Sequence, residues 1–364
     1  MPSITTAFFV TLIFMVALRP VAINIGLVDI PGGRKKHTGD IPMVGGIAMF
    51  LGSAVGLSLL PDSHPSLAYL VVAGGLLVVI GVLDDRYGLP ASIRLVTQLV
   101  SVLIMVFGAD IRIIDLGDPF GSGVIFLGPV SLIFTVLVTV SIINAFNLVD
   151  GLDGLAGSMA LIALIAIVPL GGYQSSMTMA SLVVAASILA FLSFNFPMAQ
   201  NCNVRTFMGD AGSTFVGLIV VWVMTSVSQG SGAIATPVVC LWFVSMPVFD
   251  LFTCFVKRCL RRRSPFRPGR DHFHHILQRS GMGIRSVLAV LTGLQLIYAA
   301  IGITGHFAGA TDVVMFAAWA LVGVSQHWVI RRYAAMYRLD LRRKRARGVP
   351  VAAGYTAKTE RGER

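Results

Sequence analysis

The chain has 364 residues, 55% of them hydrophobic and only 12% charged, which excludes an ordinary soluble globular domain. Its 28 Lys and Arg against 17 Asp and Glu leave a net charge of +11. That charge need not mean nucleic acid, because its placement along the chain supplies another reason for it.

Apolar stretches recur from end to end, near residues 4–27, 43–60, 67–83, 93–109, 124–146, 156–171, 178–196, 212–229, 234–256, 286–304 and 312–330. A bilayer core is about 30 Å thick, which about 20 helical residues cross. In lipid the backbone must satisfy its own hydrogen bonds, so these segments read as α-helices. The expectation is an all-α polytopic membrane protein with about eleven spans and no separate soluble domain. A multi-span domain covers 1–332 and a basic tail covers 333–364. The first span has no basic start and no clear cleavage site, so it reads as retained. Residues 111–128, "IRIIDLGDPFGSGVIFLG", alternate in polarity and turn on Asp118-Pro119 and Gly121–Gly123, which predicts a small outer β-hairpin.

Eleven spans place the termini on opposite sides. With the N-terminus outside, Arg112 is the one Lys or Arg in an outer loop, and the tail "RRYAAMYRLDLRRKRARG" lies in the cytoplasm. This is the positive-inside pattern, facing anionic lipid headgroups. The tail reads as a solvated, partly disordered topogenic segment. Cys202, Cys240, Cys254 and Cys259 show no metal spacing and read as structural thiols.

The acids sort to the same inner level. Glutamate is absent before Glu360. In "GVLDDRYGLP" Asp84 and Asp85 end an inward span, where the helix dipole disfavours negative charge. Two adjacent carboxylates also repel. The pair therefore asks for a metal or a proton-transfer task. In "NLVDGLDG" Asn147, Asp150 and Asp153 offer an amide and two carboxylates, either on one helical face or, if the helix breaks at Gly151, on a glycine loop that a ligand can approach. In "NVRTFMGDAGSTFVG" Asp210 stands at a helix start among small residues, where free N–H groups suit phosphate. Phe207 before it suits either base stacking or core packing. Oxygen-only ligands at this density favour Mg2+ or Mn2+ over zinc. In "RRRSPFRPGRDHFHHILQRSGMG" the arginines, Arg270 among them, lead into His272, His274 and His275, which reads as an anion clamp. Lys36, in "GGRKKHTGDIP", adds a cation on the same side.

These features imply chemistry at the inner interface between a soluble phosphorylated reactant and a membrane-held one. The ordered set "DD", "NLVDGLDG", "FMGDAGS" and "RDHFHH", with "IPMVGG" at Ile41–Gly46, resembles the polyprenyl-phosphate N-acetylhexosamine-1-phosphate transferases over roughly residues 1–330. "HFHH" looks like the bacterial branch using UDP-N-acetylglucosamine, the undecaprenyl-phosphate GlcNAc-1-phosphate transferases, rather than the peptidoglycan branch. The resemblance implies transfer of GlcNAc-1-phosphate from UDP-GlcNAc to undecaprenyl phosphate, releasing UMP. The product would begin O-antigen, common-antigen or a related envelope glycan at the bacterial inner membrane. It implies Asp210, with Asn147 nearby, as ligands of Mg2+ or Mn2+. It implies catalytic roles for Asp84, Asp85, Asp150 and His275. Asp84 and Asp85 would bind or deprotonate the lipid phosphate. Substrate contacts would come from Lys36, Asn147, Asp153, Asn195, Phe207, Arg270, His272 and His274. Asn195 is the less secure, because "MAQNCNVRT" is longer here than in the peptidoglycan branch. The rivals are the same reaction with another UDP-N-acetylhexosamine or UDP-MurNAc-pentapeptide, and an anionic-solute transporter, against which the acids' place at span ends counts. A homodimer is left open.

Overall fold

A computed structural model describes residues 2–29, 40–61, 65–173, 175–197, 205–260 and 272–346. Helices dominate. In chain order they are α1 (Pro2–Ile25), α2 (Gly45–Ser58), α3 (Ser66–Tyr87), α4 (Ala91–Leu103), α5 (Ser131–Val149), α6 (Leu155–Ile165), α7 (Val168–Gly171), α8 (Ser176–Asn195), α9 (Gly209–Ser228), α10 (Pro237–Phe243), α11 (Ser245–Leu260), α12 (Phe273–Arg279), α13 (Ile284–Phe307) and α14 (Asp312–Ala346). Two short antiparallel strands, β1 (Val28–Asp29) and β2 (Ile41–Pro42), flank the first loop.

Among the described residues, eight helices are long and apolar enough to cross a bilayer. The expected span over 234–256 is not one straight helix: α10 and α11 meet at an 85° bend. Counted as one, they make a ninth span. The expected spans at 43–60 and 156–171 coincide with shorter apolar helices, Gly45–Ser58 and Leu155–Gly171. Fourteen helical residues rise only about 21 Å, less than a hydrocarbon core. By length and composition, the described residues supply eight or nine of the eleven expected spans.

The bend has an identifiable cause. Pro247 brings no N–H to the third position of α11, so the ladder is already interrupted there. The backbone groups freed at the corner go to Gln295 of α13, which is fully buried. Its Oε1 accepts from Met246 N–H at 2.9 Å, and its Nε2 donates to the Phe243 carbonyl at 2.7 Å. One side chain thus replaces the missing turn of helix, as an apolar surrounding demands.

Helix α9 forms the centre. Of its apolar window, 94% is buried, against 22% for α1 and 17% for α14. It packs against α2, α3, α5 and α6. Lipid tails are as apolar as leucine, so close backbone approach, not apolar burial, holds such helices together. Small residues make it possible. A Cβ at Gly46 of α2 would lie 2.3 Å from the Gly212 nitrogen, and one at Gly81 of α3 would lie 2.3 Å from the Ala211 Cα. The N-terminus of α9 is therefore clamped between two glycine faces.

Residues 111–128 fold as a hairpin around one bridge, Asp115 to Phe126. Leu116 N–H donates to the Ile125 carbonyl at 3.0 Å, and Gln229 at the end of α9 accepts from Ile114 N–H at 2.7 Å. The segment after residue 331 corrects an expectation. It was read as partly disordered, yet α14 continues unbroken to Ala346. Tyr337 on this extension packs against Gly281, just past α12, so tertiary contact supports the helix beyond its apolar part.

The corner supplies a test. Gln295→Leu orphans two buried backbone groups, each costing roughly 1–3 kcal/mol. The variant is expected to unfold at clearly lower temperature in detergent. An unchanged Tm would show that the bend does not depend on this amide.

Candidate functional site

The site forms where α3, α5 and α9 end at one level. Helix α3 stops at Gly88, whose φ of 67° closes it, and Leu89 N–H donates to Asp84 Oδ1 at 2.7 Å. Asp85 points the other way. Its Oδ1 accepts from Asp210 N–H at 2.9 Å and its Oδ2 from Ala211 N–H at 3.4 Å. It therefore caps α9 from a neighbouring helix. The unfavourable charge at the end of α3 is offset by the positive end of α9. Gly209, with φ of 70°, is needed here, since a Cβ on it would sit 2.4 Å from Asp85 Oδ2. This corrects the reading of α9 as an open phosphate cradle: its Asp210 and Ala211 N–H groups are already taken by Asp85.

Asp210 faces Asp84 across Arg94. The Arg94 Nη1 lies 3.3 Å from Asp84 Oδ2 and 3.4 Å from Asp210 Oδ2. Asn147 Nδ2 donates to Asp210 Oδ1 and to Ser213 Oγ, both at 2.9 Å. Asp84 is nearly buried, whereas Asp210 keeps about a third of its side chain exposed. Two carboxylate oxygens meeting one cationic group, with one carboxylate oriented by an amide and open to solvent, are suited to a hard divalent cation. Zinc would favour nitrogen or sulfur donors, which the cluster lacks.

Helix α5 ends at Val149, and the chain turns through Asp150–Gly154, so the helix breaks at Gly151 as one of the two sequence readings had it. Asp150 is only partly buried as a residue, yet protein surrounds its carboxyl. Burial of the charge holds that carboxyl well above the ordinary carboxylate range, with repulsion from Asp210, Asp153 and Asp85 adding to it. Asp153 pairs with Arg205, whose guanidinium lies 5.4 Å from the centre of the Phe207 ring. Asn195 is a brace. Its Oδ1 accepts from Gly154 N–H at 2.7 Å, and its Nδ2 donates to the Thr206 carbonyl at 2.9 Å. It is buried and joins the 150–154 turn to the segment before Asp210, so its amide is not presented to a ligand.

"IPMVGG" gains a physical meaning. The Pro42 carbonyl accepts from Phe207 N–H at 3.0 Å and from Thr206 Oγ1 at 2.7 Å. Gly45 and Gly46 N–H donate to the Phe207 and Met208 carbonyls, both at 3.1 Å. The motif is the backbone splint that aims "TFMGD" into the site.

The histidine helix α12 packs on α13 and α14, and Asp250 of α11 holds its start. His272 is buried, with Nδ1 3.0 Å from Asp250 Oδ2. His274 is also buried, and its Nε2 lies 2.6 Å from where a Cβ on Gly151 would be. A cavity of about 10 Å3 separates it from Asp250, Val149 and Met246. Burial, with the neighbouring His275 and His272, pushes the His274 imidazole down to about 3. At neutral pH it is an uncharged group packed against the turn. His275 is partly exposed, and its ring centre lies 4.1 Å from that of His274 with the planes tilted by 47°. Lys36 and Arg270 lie outside the described residues.

Sequence reasoning missed Arg94, Arg205 and Asp250. The two arginines were counted only as topogenic charge. Arg94 had one further signal, a turn at Pro90 that brings α4 back beside the end of α3.

This fold, with an acidic site at one end of its helix bundle, is that of a polytopic membrane transferase. A family model described as glycosyl transferase family 4 matches residues 67–228, a stretch holding both aspartate motifs and Asp210. Undecaprenyl-phosphate alpha-N-acetylglucosaminyl 1-phosphate transferases align almost end to end. That of Salmonella typhi is 33% identical over 352 residues, 94% of this chain and 96% of the relative. That of Escherichia coli strain K12 is 32% identical over 353 residues, with the same two shares. That of Haemophilus influenzae is 33% identical over 354 residues, 95% of this chain and 99% of the relative. The chain belongs to glycosyl transferase family 4, the polyprenyl-phosphate N-acetylhexosamine-1-phosphate transferases.

The Asp85 cap can be checked directly. Asp85→Asn leaves one acceptor oxygen for two N–H donors, at a cost of about 1 kcal/mol. A lower Tm and a turnover reduced about tenfold or more are expected. A variant with wild-type Tm and rate would show that α9 needs no such cap.

Proposed function

We propose that this enzyme transfers GlcNAc-1-phosphate from UDP-GlcNAc to undecaprenyl phosphate at the cytoplasmic face of a bacterial inner membrane. The products are undecaprenyl-pyrophosphoryl-GlcNAc and UMP, and the step opens O-antigen, common-antigen or related envelope glycan synthesis. The observation that carries the reading is the meeting of Asp84, Asp210, Asn147 and Arg94 at one end of four packed helices. The names of relatives aligned over 94–95% of the chain support the choice of lipid and sugar.

Asp210 and Asp84 would hold Mg2+ or Mn2+, with Asn147 orienting the Asp210 carboxylate. When bound, the cation supplies charge neutralisation and orientation for a phosphate-on-phosphate displacement. Arg94 already lies between the two carboxylates and is placed to turn toward phosphate. The lipid phosphate oxygen attacks the β-phosphorus of UDP-GlcNAc. The new P–O–P bond forms as the bond from that phosphorus to the bridging oxygen breaks, and UMP leaves. A phosphate monoester has its second pKa at about 6, so most of the nucleophile is already deprotonated at neutral pH. The upward shift of the Asp150 carboxyl makes its ionised form the stronger proton acceptor, suited to take the remaining one. Asp85, committed to α9, serves as scaffold. Asp153, Arg205 and Phe207 would line the nucleotide side, and His275, Lys36 and Arg270 would meet phosphates or sugar.

Purified protein given undecaprenyl phosphate and a panel of UDP-sugars is expected to form the GlcNAc product alone, as read by mass spectrometry. Asp210→Asn should lower turnover about 100-fold or more and weaken Mn2+ binding read by electron paramagnetic resonance, with the fold intact. Normal Mn2+ affinity in that variant would refute the ligand assignment.

The orientation has its own test. In a background with the four native cysteines replaced, Ser122→Cys in the hairpin should react with an impermeant maleimide on intact cells. Arg338→Cys on the α14 extension should react only after permeabilisation. The reverse pattern would move the site to the outer face.

A further inference from the structure

We propose that Asp250 is a positioning residue for the transfer site. One carboxylate oxygen holds the first N–H of α12, and the other holds the Nδ1–H of His272. The histidine helix is thereby seated, with His274 against the acidic turn and the more exposed His275 left to meet the sugar nucleotide. The inference rests on the transferase reading above for what His275 meets, but not for the clasp itself.

Asp250 is 3% exposed in an apolar part of α11. A carboxylate so buried is costly unless both oxygens are satisfied. Both partners come from the start of α12. Phe273 N–H donates to Oδ1 at 2.8 Å, and His272 Nδ1 lies 3.0 Å from Oδ2. With Oδ1 already accepting from a backbone N–H, the clasp has Oδ2 accept as well and places the ring proton on Nδ1. The Nε2 atom is buried and has no hydrogen-bond partner among the described residues. Two residues on, His274 is held over Gly151, inside the turn that carries Asp150 and Asp153. The clasp thus sets the depth of α12 against the acidic turn.

Cys254, one turn after Asp250, places Sγ 3.4 Å from the same Nδ1. Asp250, Cys254 and His272 therefore form a trio of metal-ligand type. The 3.0 Å separation is already a hydrogen-bond length, and Oδ1 is spent on the backbone. The trio needs no ion to hold it together.

Asp250→Asn tests the role. An amide has one acceptor oxygen for two donors, so one contact is lost. If its NH2 faces the ring, the proton moves to Nε2. With UDP-GlcNAc and lipid phosphate, kcat is expected to fall about 100-fold. The KM for UDP-GlcNAc should change less than about threefold, with normal elution and near-normal Tm. In a His272→Ala background the same change should cost less than about threefold more, because the two act as a unit. In 15N-histidine-labelled wild-type protein, the His272 signal, assigned by its loss in His272→Ala, should show Nδ1–H. Cys254→Ala should keep activity within about twofold and leave that signal in place.

Wild-type kcat in Asp250→Asn, independent effects in the double variant, or an unprotonated Nδ1 in the wild type would each overturn the proposal. So would stoichiometric zinc that disappears together with activity in Cys254→Ala. The nitrogen spectrum requires no folded variant of Asp250 and no substrate. A wrong choice of sugar, which would show as no UMP release by the wild type, is therefore distinguishable from a wrong clasp.

Discussion

The structure depends on one carboxylate placed where two helix ends meet. Asp85 lies at the C-terminal end of α3, where its charge is disfavoured, and accepts the first free N–H groups of α9, where negative charge is favoured. Neither helix end is comfortable alone, and each satisfies the other. The contact requires backbones to touch, which explains Gly81 against Ala211, Gly46 against Gly212, and Gly209 beside the carboxylate itself. Since α9 is the buried centre of the bundle, fixing its N-terminus fixes Asp210 relative to α2, α3 and α5.

Much of the remaining polar chemistry is spent on construction. Asn195 ties the acidic turn to the segment before Asp210, and Pro42 to Gly46 splint that segment from the other side. Gln295 repairs the corner between α10 and α11, and Asp250 holds the start of α12. In an apolar environment an unpaired backbone or amide group is costly, so the fold supplies a partner from a distant helix. The groups left over are fewer than the motifs suggest. They are the facing oxygens of Asp84 and Asp210 with Arg94, the Asp153–Arg205 pair beside Phe207, and His275. A phosphorylated substrate would meet these.

Charge in the site is arranged to accept cations. Asp84, Asp85, Asp150, Asp153 and Asp210 gather at one level, and Arg94 and Arg205 already enter among them. Repulsion and burial leave Asp150 unwilling to ionise, whereas Asp210 stays partly in solvent. Neighbouring carboxylates of one cluster thus differ in their readiness to ionise, and the more exposed Asp210 is the one suited to a metal.

Composition alone determined the environment of this protein, because 55% hydrophobic residues in bilayer-length runs admit few other arrangements. It also marked the acidic motifs, since aspartates at the ends of apolar helices are conspicuous against their cost. Residue order could not say which aspartate is scaffold and which is open to a ligand. Asp84 and Asp85 are adjacent in sequence and both reach α9, yet one faces the Asp210 carboxylate across Arg94 while the other is spent on backbone N–H groups, and only packing decides that. The bend between α10 and α11 was hidden because Gln295, which makes it tolerable, lies 49 residues from Met246. Asp250 read as one more interfacial acid until α12 was folded against it. Local pattern carries hydrophobic length and motif position, while the partner of each buried polar group is a long-range fact that only the tertiary structure decides.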